Sequence, residues 1–325
     1  MKKILEMFKQ QISVELSENS IESYCSDVKD FLRRIKKKTN CTDEEIINRI
    51  DSLLVSDVFM DMRTEYTMTT YNRKIVSVNA FCQYICDLGL KNINTCKSIK
   101  KYSPKKVRME KASRPQKETL TIEEVRKILD TSIIQWSNFK EYRTKLILAL
   151  MFTTGMRISE VINMKFSDLK KIEYNDSYAY MLEIREHKSA KFNGIKVVPI
   201  ANKTLDLLEA YLIERKKINI QDEFQDYVIL SNSGEMINRK VTAENINRLV
   251  KICSIDKTIK NHNQRIGFRT ALSYMGVNET VIRQIGGWSL TDIEKSYVCD
   301  KNKDLEKIEI CNIIKKGLKK YLIWI

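Results

Sequence analysis

His262 and Arg265 stand three residues apart, a spacing that puts both on one face of a helix. The same stripe continues through Phe268, Ala271, Leu272 and Met275, which are apolar and suited to face a core. Packing alone would fill the first turn of such a stripe with Leu or Ile, yet here it carries an imidazole and a guanidinium. Free backbone N–H groups at a helix start also favour an anion. Gly276 is placed to end this helix, Asn278 to cap a second (VIRQI), and Gly286-Gly287 to stop that one. Trp288 follows directly. Thr291 and Glu294 then form a capping-box pattern for a short last helix that bears Tyr297. The stretch reads as a helical unit presenting His, Arg, Trp and Tyr.

Two further features lie upstream. Tyr142 to Phe152 is apolar nearly all round and reads as a buried helix that stops at Gly155. Arg157 opens the next helix, with Glu160 one turn on, where a carboxylate can hold a guanidinium in one orientation. Tyr178 to His187 and Ile195 to Ile200 read as two strands of a hairpin, with Asn193-Gly194 suited to its turn. Lys188 falls where the first strand meets that turn, with Lys191 and Lys196 as nearby rivals.

If the anion is a DNA phosphodiester, displacement at phosphorus builds charge on its equatorial oxygens. Two guanidiniums meet that charge well, because each forks N–H groups onto phosphate oxygens and keeps its proton; Arg157 and Arg265 are the candidates. A metal-bound water is the rival nucleophile, but the sequence shows no Asp/Glu/His cluster of the kind a two-metal nuclease needs. Tyr297 suits better, since a phenol forms a covalent phosphate ester that conserves the bond for religation. Lys188, with a lowered pKa, is a candidate acid for the departing 5′ oxygen. His262 either accepts the phenol proton or serves chiefly as a phosphate ligand.

The elements that must position these groups divide into two parts. Residues 1–102 read as a helical domain, with apolar helical spacing at Ile21, Tyr24, Val28, Phe31, Leu32 and Ile35, and again at Ile75, Val78, Phe81, Cys82 and Ile85 up to Gly89. Thr42 and Glu45 form a capping-box pattern between them. Arg33, Arg34, Lys36, Lys37, Lys38, Arg73 and Lys74 are set either against phosphates or in solvent. Residues 103–118 read as a basic linker: the stretch from Lys101 to Thr119 holds seven Lys or Arg against two Glu, and two of the chain's three prolines. It is either a spacer or a tether for a protein that encircles DNA. Residues 119–325 read as a mixed α/β, mostly helical catalytic domain, opened by a Thr121/Glu124 capping box. Its end, from Asp304 to Ile325, is apolar enough to pack on its own domain or to be exchanged with a neighbouring copy.

A formal net charge of +15 over 325 residues points to a polyanion. Nucleic acid precedes an anionic membrane, because no strongly basic amphipathic anchor and no spanning apolar run is present. The first residues do not read as a signal peptide. Eight cysteines without C-x-x-C pairs and only two histidines, His187 and His262, disfavour a zinc cluster and suit free thiols in a reducing compartment.

The blocks TTGMRISEVINMKFSDL, EIREHKSAKFNGIKVVPI, HNQRIGFRTALSYMG and IGGWSLTDIEKSYV resemble, in order, the signatures of the tyrosine recombinases, the phage integrase family. LSENSIESYCSDVKDFL and TTYNRKIVSVNAFCQYICDLG resemble the family's core-binding domain more loosely. The resemblance implies a fold that is mainly α with a small β-sheet. It makes Arg157 and Arg265 the catalytic arginines, Glu160 the acidic support, Lys188 the hairpin lysine, His262 the partner of Arg265, and Tyr297 the nucleophile. Trp288 stands where many members carry His, in a Gly-Gly-Trp block like that of Cre recombinase, and Ile266 stands where many carry a second His. An indole donates one hydrogen bond but cannot shuttle protons. The implied enzyme recombines double-stranded DNA sites through a 3′-phosphotyrosyl bond and a Holliday junction, as a homotetramer, with no cofactor, no metal and no membrane. Its place would be the cytoplasm of a bacterium or phage host, or the nucleus for a virus of eukaryotes. A type IB topoisomerase-like or telomere-resolving enzyme is the alternative of related chemistry, and a non-catalytic DNA-packaging protein the alternative of another class.

Overall fold

The computed structural model describes residues 1–114, 118–174, 177–185, 196–274, 276–277 and 279–286. The chain divides into two compact units, Met1–Gln116 and Lys117–Ile325. The first is helical: α1 (Lys2–Ser13), α2 (Glu18–Thr39), α3 (Ile46–Arg49), α4 (Ser52–Glu65), α5 (Met68–Asp87) and α6 (Pro104–Ala112). Val28, Phe31 and Ile35 of α2 meet Val55, Phe59 and Met62 of α4 and Val78, Phe81 and Ile85 of α5 in one core. Each such side chain contributes about 1.5–3 kcal/mol by leaving water. The Thr42/Glu45 box forms, with Thr42 N donating to Glu45 Oε2 at 3.0 Å, and α5 ends just before Gly89, which takes φ +70°.

Charge enters this core only in pairs. Asp27, buried on α2, accepts Lys74 at 3.2 Å and Arg73 at 2.9 Å, both from α5, and Asp30 accepts Lys74 at 2.9 Å. Burial alone would raise the Asp30 carboxyl, but hydrogen bonds from Lys74, Arg33 and Tyr66 hold it well below the usual carboxylate range. Of the seven cations that the sequence left between phosphates and solvent, Arg33, Arg34, Lys36, Lys38, Arg73 and Lys74 each hold a carboxylate within 4 Å. Within the stretch read as a linker, Ser103 caps α6 and Pro104 occupies its first turn, where a missing N–H costs nothing. None of the residues of α6 is buried, consistent with its basic composition.

The second unit comprises α7 (Ile122–Asp130), α8 (Asn138–Thr154), α9 (Ile158–Ile162), β1 (Leu169–Tyr174), β2 (Ser177–Ile184), β3 (Lys196–Pro199), α10 (Asn202–Arg215), α11 (Arg239–Ile252), α12 (Asn261–Tyr274) and α13 (Glu279–Gly286). The architecture is mostly helical with one small sheet, as expected. Helix α8 is the axis: buried from Leu146 to Phe152 without a break, it packs against α7, α9, α10, α11 and α12. The sheet runs β1-β2-β3, antiparallel throughout, with Leu169 opposite Leu182 and Leu182 opposite Val198. Strands β2 and β3 lie where the hairpin is expected, whereas β1 is an additional strand, whose Lys170-Lys171 pair and Glu173 break the apolar alternation that marks one.

Candidate active site

The site is assembled at the C-terminal end of α8. Gly155 stops that helix in the left-handed region, at φ +64°, and a Cβ there would overlap the ring of Phe268 on α12. Only glycine meets both demands. Two residues on, Arg157 caps α9. Glu160 is buried and divides its oxygens: Oε2 accepts the Arg157 backbone N–H at 2.8 Å, and Oε1 accepts Arg157 Nη1 at 2.6 Å. One carboxylate therefore starts the helix and fixes the guanidinium that precedes it. The Arg157 side chain keeps a quarter of its surface open to solvent, whereas Glu160 is closed off behind it.

Helix α12 brings the second guanidinium. Arg265 is buried, and its Nη1 donates to the Gly155 carbonyl while Nη2 donates to the Gly286 carbonyl at 2.5 Å. These carbonyls close α8 and α13, where the helix dipoles leave partial negative charge, so a cation is well placed between them. Burial, then the charge of nearby Arg157, lowers the pKa of Arg265 to about 10, against the opposing pull of Glu160. Arg265 stays charged at neutral pH. The two guanidiniums thus share one neighbourhood: Arg265 feels the charges of both Arg157 and Glu160, and the Gly155 turn joins the two arginines. Phe268, Ala271 and Leu272 on the same helix face the core, as their spacing requires.

Of the other sequence-predicted residues, His262 is placed by its backbone in the first turn of α12, with its side chain outside the described residues. Lys188, Trp288 and Tyr297 lie outside the described residues, as do His187, the hairpin turn and the C-terminal tail. Four further groups lie at or beside the site without a signal in the sequence. The Gly155 and Gly286 carbonyls carry no side-chain signal. Asn263, buried beside His262, donates to the Glu118 carbonyl at 2.5 Å across 145 residues, a distance that no spacing rule reaches. Gln264 is fully buried, and among the described residues its amide oxygen and nitrogen find no hydrogen-bond partner.

Known proteins bear on this arrangement. The model of the phage integrase family matches residues 118–303. The tyrosine recombinase XerD of Halalkalibacterium halodurans is 25% identical over 284 residues, covering 86% of this chain and 86% of its own. A tyrosine recombinase of Thermosipho africanus is also 25% identical, over 309 residues, 93% of this chain and 98% of its own. Among solved structures, the XerH site-specific recombinase in a post-cleavage complex with its palindromic difH substrate superposes with a TM-score of 0.60 at 17% identity, over 89% of this chain and 78% of that one. A lambda integrase fragment, bound as a dimer to a COC′ core site, gives 0.57 at 14% identity, over 94% and 97%. Both show the same fold.

Proposed function

This chain belongs to the phage integrase family and is a tyrosine-type site-specific DNA recombinase, and from that premise we propose how its residues divide the chemistry. Arg157 and Arg265 stabilise the charge that builds on the scissile phosphate, with Glu160 holding Arg157 in place. Tyr297 attacks: its oxygen forms a bond to phosphorus as the bond to the 5′ oxygen breaks, leaving a 3′-phosphotyrosyl ester. Lys188 supplies the proton that the 5′ oxygen takes up. His262 accepts the phenol proton, and Trp288 donates its indole N–H to the phosphate. A free 5′ hydroxyl from the partner duplex then attacks the ester and restores the phosphodiester. Four copies on two DNA sites carry the exchange through a Holliday junction, with residues 305–325 reaching a neighbouring copy. Residues 1–102 grip DNA, residues 103–118 connect, and residues 119–325 react, in the cytoplasm of a bacterial host. No metal or nucleotide takes part in the steps assigned to these side chains.

The observation that carries this reading is the pairing of two guanidiniums around the Gly155 turn, one fixed by a buried carboxylate and the other by two helix-terminal carbonyls. Such preorganised charge is what a phosphoryl-transfer transition state needs. The test uses the duplex that the protein selects from a random-sequence library, nicked just beyond the cleavage point so that the short 5′-hydroxyl piece diffuses away. Wild type accumulates a covalent protein–DNA complex on it and Tyr297→Phe does not. Trapping by both would remove Tyr297 as the nucleophile.

A further inference from the structure

The loop that feeds α12 is held from two sides. From α11, Asn247 clamps Ile259 twice: its Oδ1 accepts the Ile259 N–H and its Nδ2 donates to the Ile259 carbonyl, both at 2.7 Å. From the start of the second unit, residues 118–124 reach the same loop. Lys257 Nζ donates to the Thr119 carbonyl at 3.1 Å and to Glu124 Oε2 at 2.6 Å, and Thr258 N donates to Glu118 Oε2 at 3.1 Å. Asn263 then ties the first turn of the helix itself to the Glu118 carbonyl. One turn further along, a Cβ added to Gly267 would stand 3.5 Å from the Leu120 carbonyl and 3.0 Å from the Phe152 ring. Residues 118–120 therefore lie against the Asn263/Gly267 face of α12.

That face has a definite relation to the chemistry. Asn263 and Gly267 each stand two residues from Arg265, which on an α-helix is a rotation of about 160°. The segment backs α12 from the side opposite Arg265. Sliding or rolling of α12 would move Arg265 off the two carbonyls it holds, and this segment, through Asn263 and Thr258, opposes both motions.

We propose that Glu118 and Asn263 are positioning residues for the strand-cleavage step, setting the depth and rotation of the helix that carries His262 and Arg265. The inference rests on the active-site reading above. Neither residue touches DNA. Each acts through α12, so its loss slows the chemical step and leaves DNA binding in place. Glu118, read in the sequence as the last residue of a spacer, is then a part of the site.

The experiment measures single-turnover cleavage of the nicked duplex at saturating protein, alongside Kd by gel shift and Tm. Asn263→Asp keeps the size of the side chain but removes the donor. Its cleavage rate is expected to fall about 10-fold or more, with Kd within twofold of wild type. Glu118 is exposed, so its variants test the same idea with little risk to folding. Glu118→Ala removes the acceptor for Thr258 N–H and should slow cleavage, whereas Glu118→Gln keeps an acceptor and should retain most of the rate. A loss confined to Kd, an Asn263→Asp enzyme that cleaves at the wild-type rate, or a Glu118→Gln variant as slow as Glu118→Ala would each overturn the proposal. If Tyr297→Phe still traps DNA, the nucleophile assignment fails separately, because these rates are read against the wild type. If wild type itself traps nothing, the active-site reading falls and this proposal with it.

Discussion

Glu160 uses its two oxygens on different partners, and the difference can be measured. Replacement by Gln keeps the shape but turns one acceptor into a donor, which would then face either the Arg157 amide or its guanidinium. Arg157 would lose its fixed direction while Arg265 still repels it. Glu160→Gln should therefore lower single-turnover cleavage by about 100-fold, the scale of a misplacement near 1 Å, with a loss of stability of about 1.5–3 kcal/mol. Covalent-complex accumulation and thermal melting check the two parts, and a variant that cleaves at the wild-type rate would show that Arg157 needs no such support. This pair was legible beforehand, because a glycine stop, an arginine and a carboxylate at i+3 are all local signals. The setting of Arg265 was not. Its partners are backbone carbonyls 110 and 21 residues away, and a carbonyl looks the same in every sequence.

At the scale of elements, Gly155 is the joint between α8, α9 and α12. An alanine there adds strain of about 1–2 kcal/mol for its left-handed backbone, and its methyl overlaps the Phe268 ring at a further cost of about 1–3 kcal/mol. Gly155→Ala should thus lose roughly 2–5 kcal/mol in urea unfolding of the whole chain. Combined with Phe268→Ala, which opens space for the methyl, the loss should be smaller than the sum of the two single losses by about 1 kcal/mol or more. Strict additivity would mean that the methyl and the ring do not meet. Most helices could be read from the sequence because their caps are local: the Thr121/Glu124 box forms as spelled, and α8 stops at the glycine that the pattern marked. Strand β1 was hidden because a sheet edge tolerates charge, and α6 because proline in a first turn reads equally as a breaker. The ties from residues 118–124 to residues 257–263 were beyond reach for a simpler reason, since they depend on how distant segments pack.

At the scale of the molecule, the excess of fifteen positive charges does not translate directly into phosphate contacts. In the first unit many cations already hold carboxylates, and they differ in how freely they can exchange them. Arg33 is 75% exposed and Arg73 44%, so a phosphate can compete for either; Lys74 is 6% exposed and sits between Asp27 and Asp30. Removing Lys74 takes from Asp27 and Asp30 the buried cation they share and leaves Arg73, Arg33 and Tyr66 to meet their charge, which is a folding defect and not a binding one. The selected duplex should bind with a strongly negative slope of log K against log salt, losing about 1,000-fold between 50 and 200 mM if about six phosphates are met. Lys74→Met should leave that slope unchanged while lowering Tm, whereas Arg73→Gln should make it shallower by about one. If the Lys74 variant instead flattened the slope at an unaltered Tm, Lys74 would belong to the DNA-facing set, and the division between structural and DNA-facing charge in this unit would have to be redrawn.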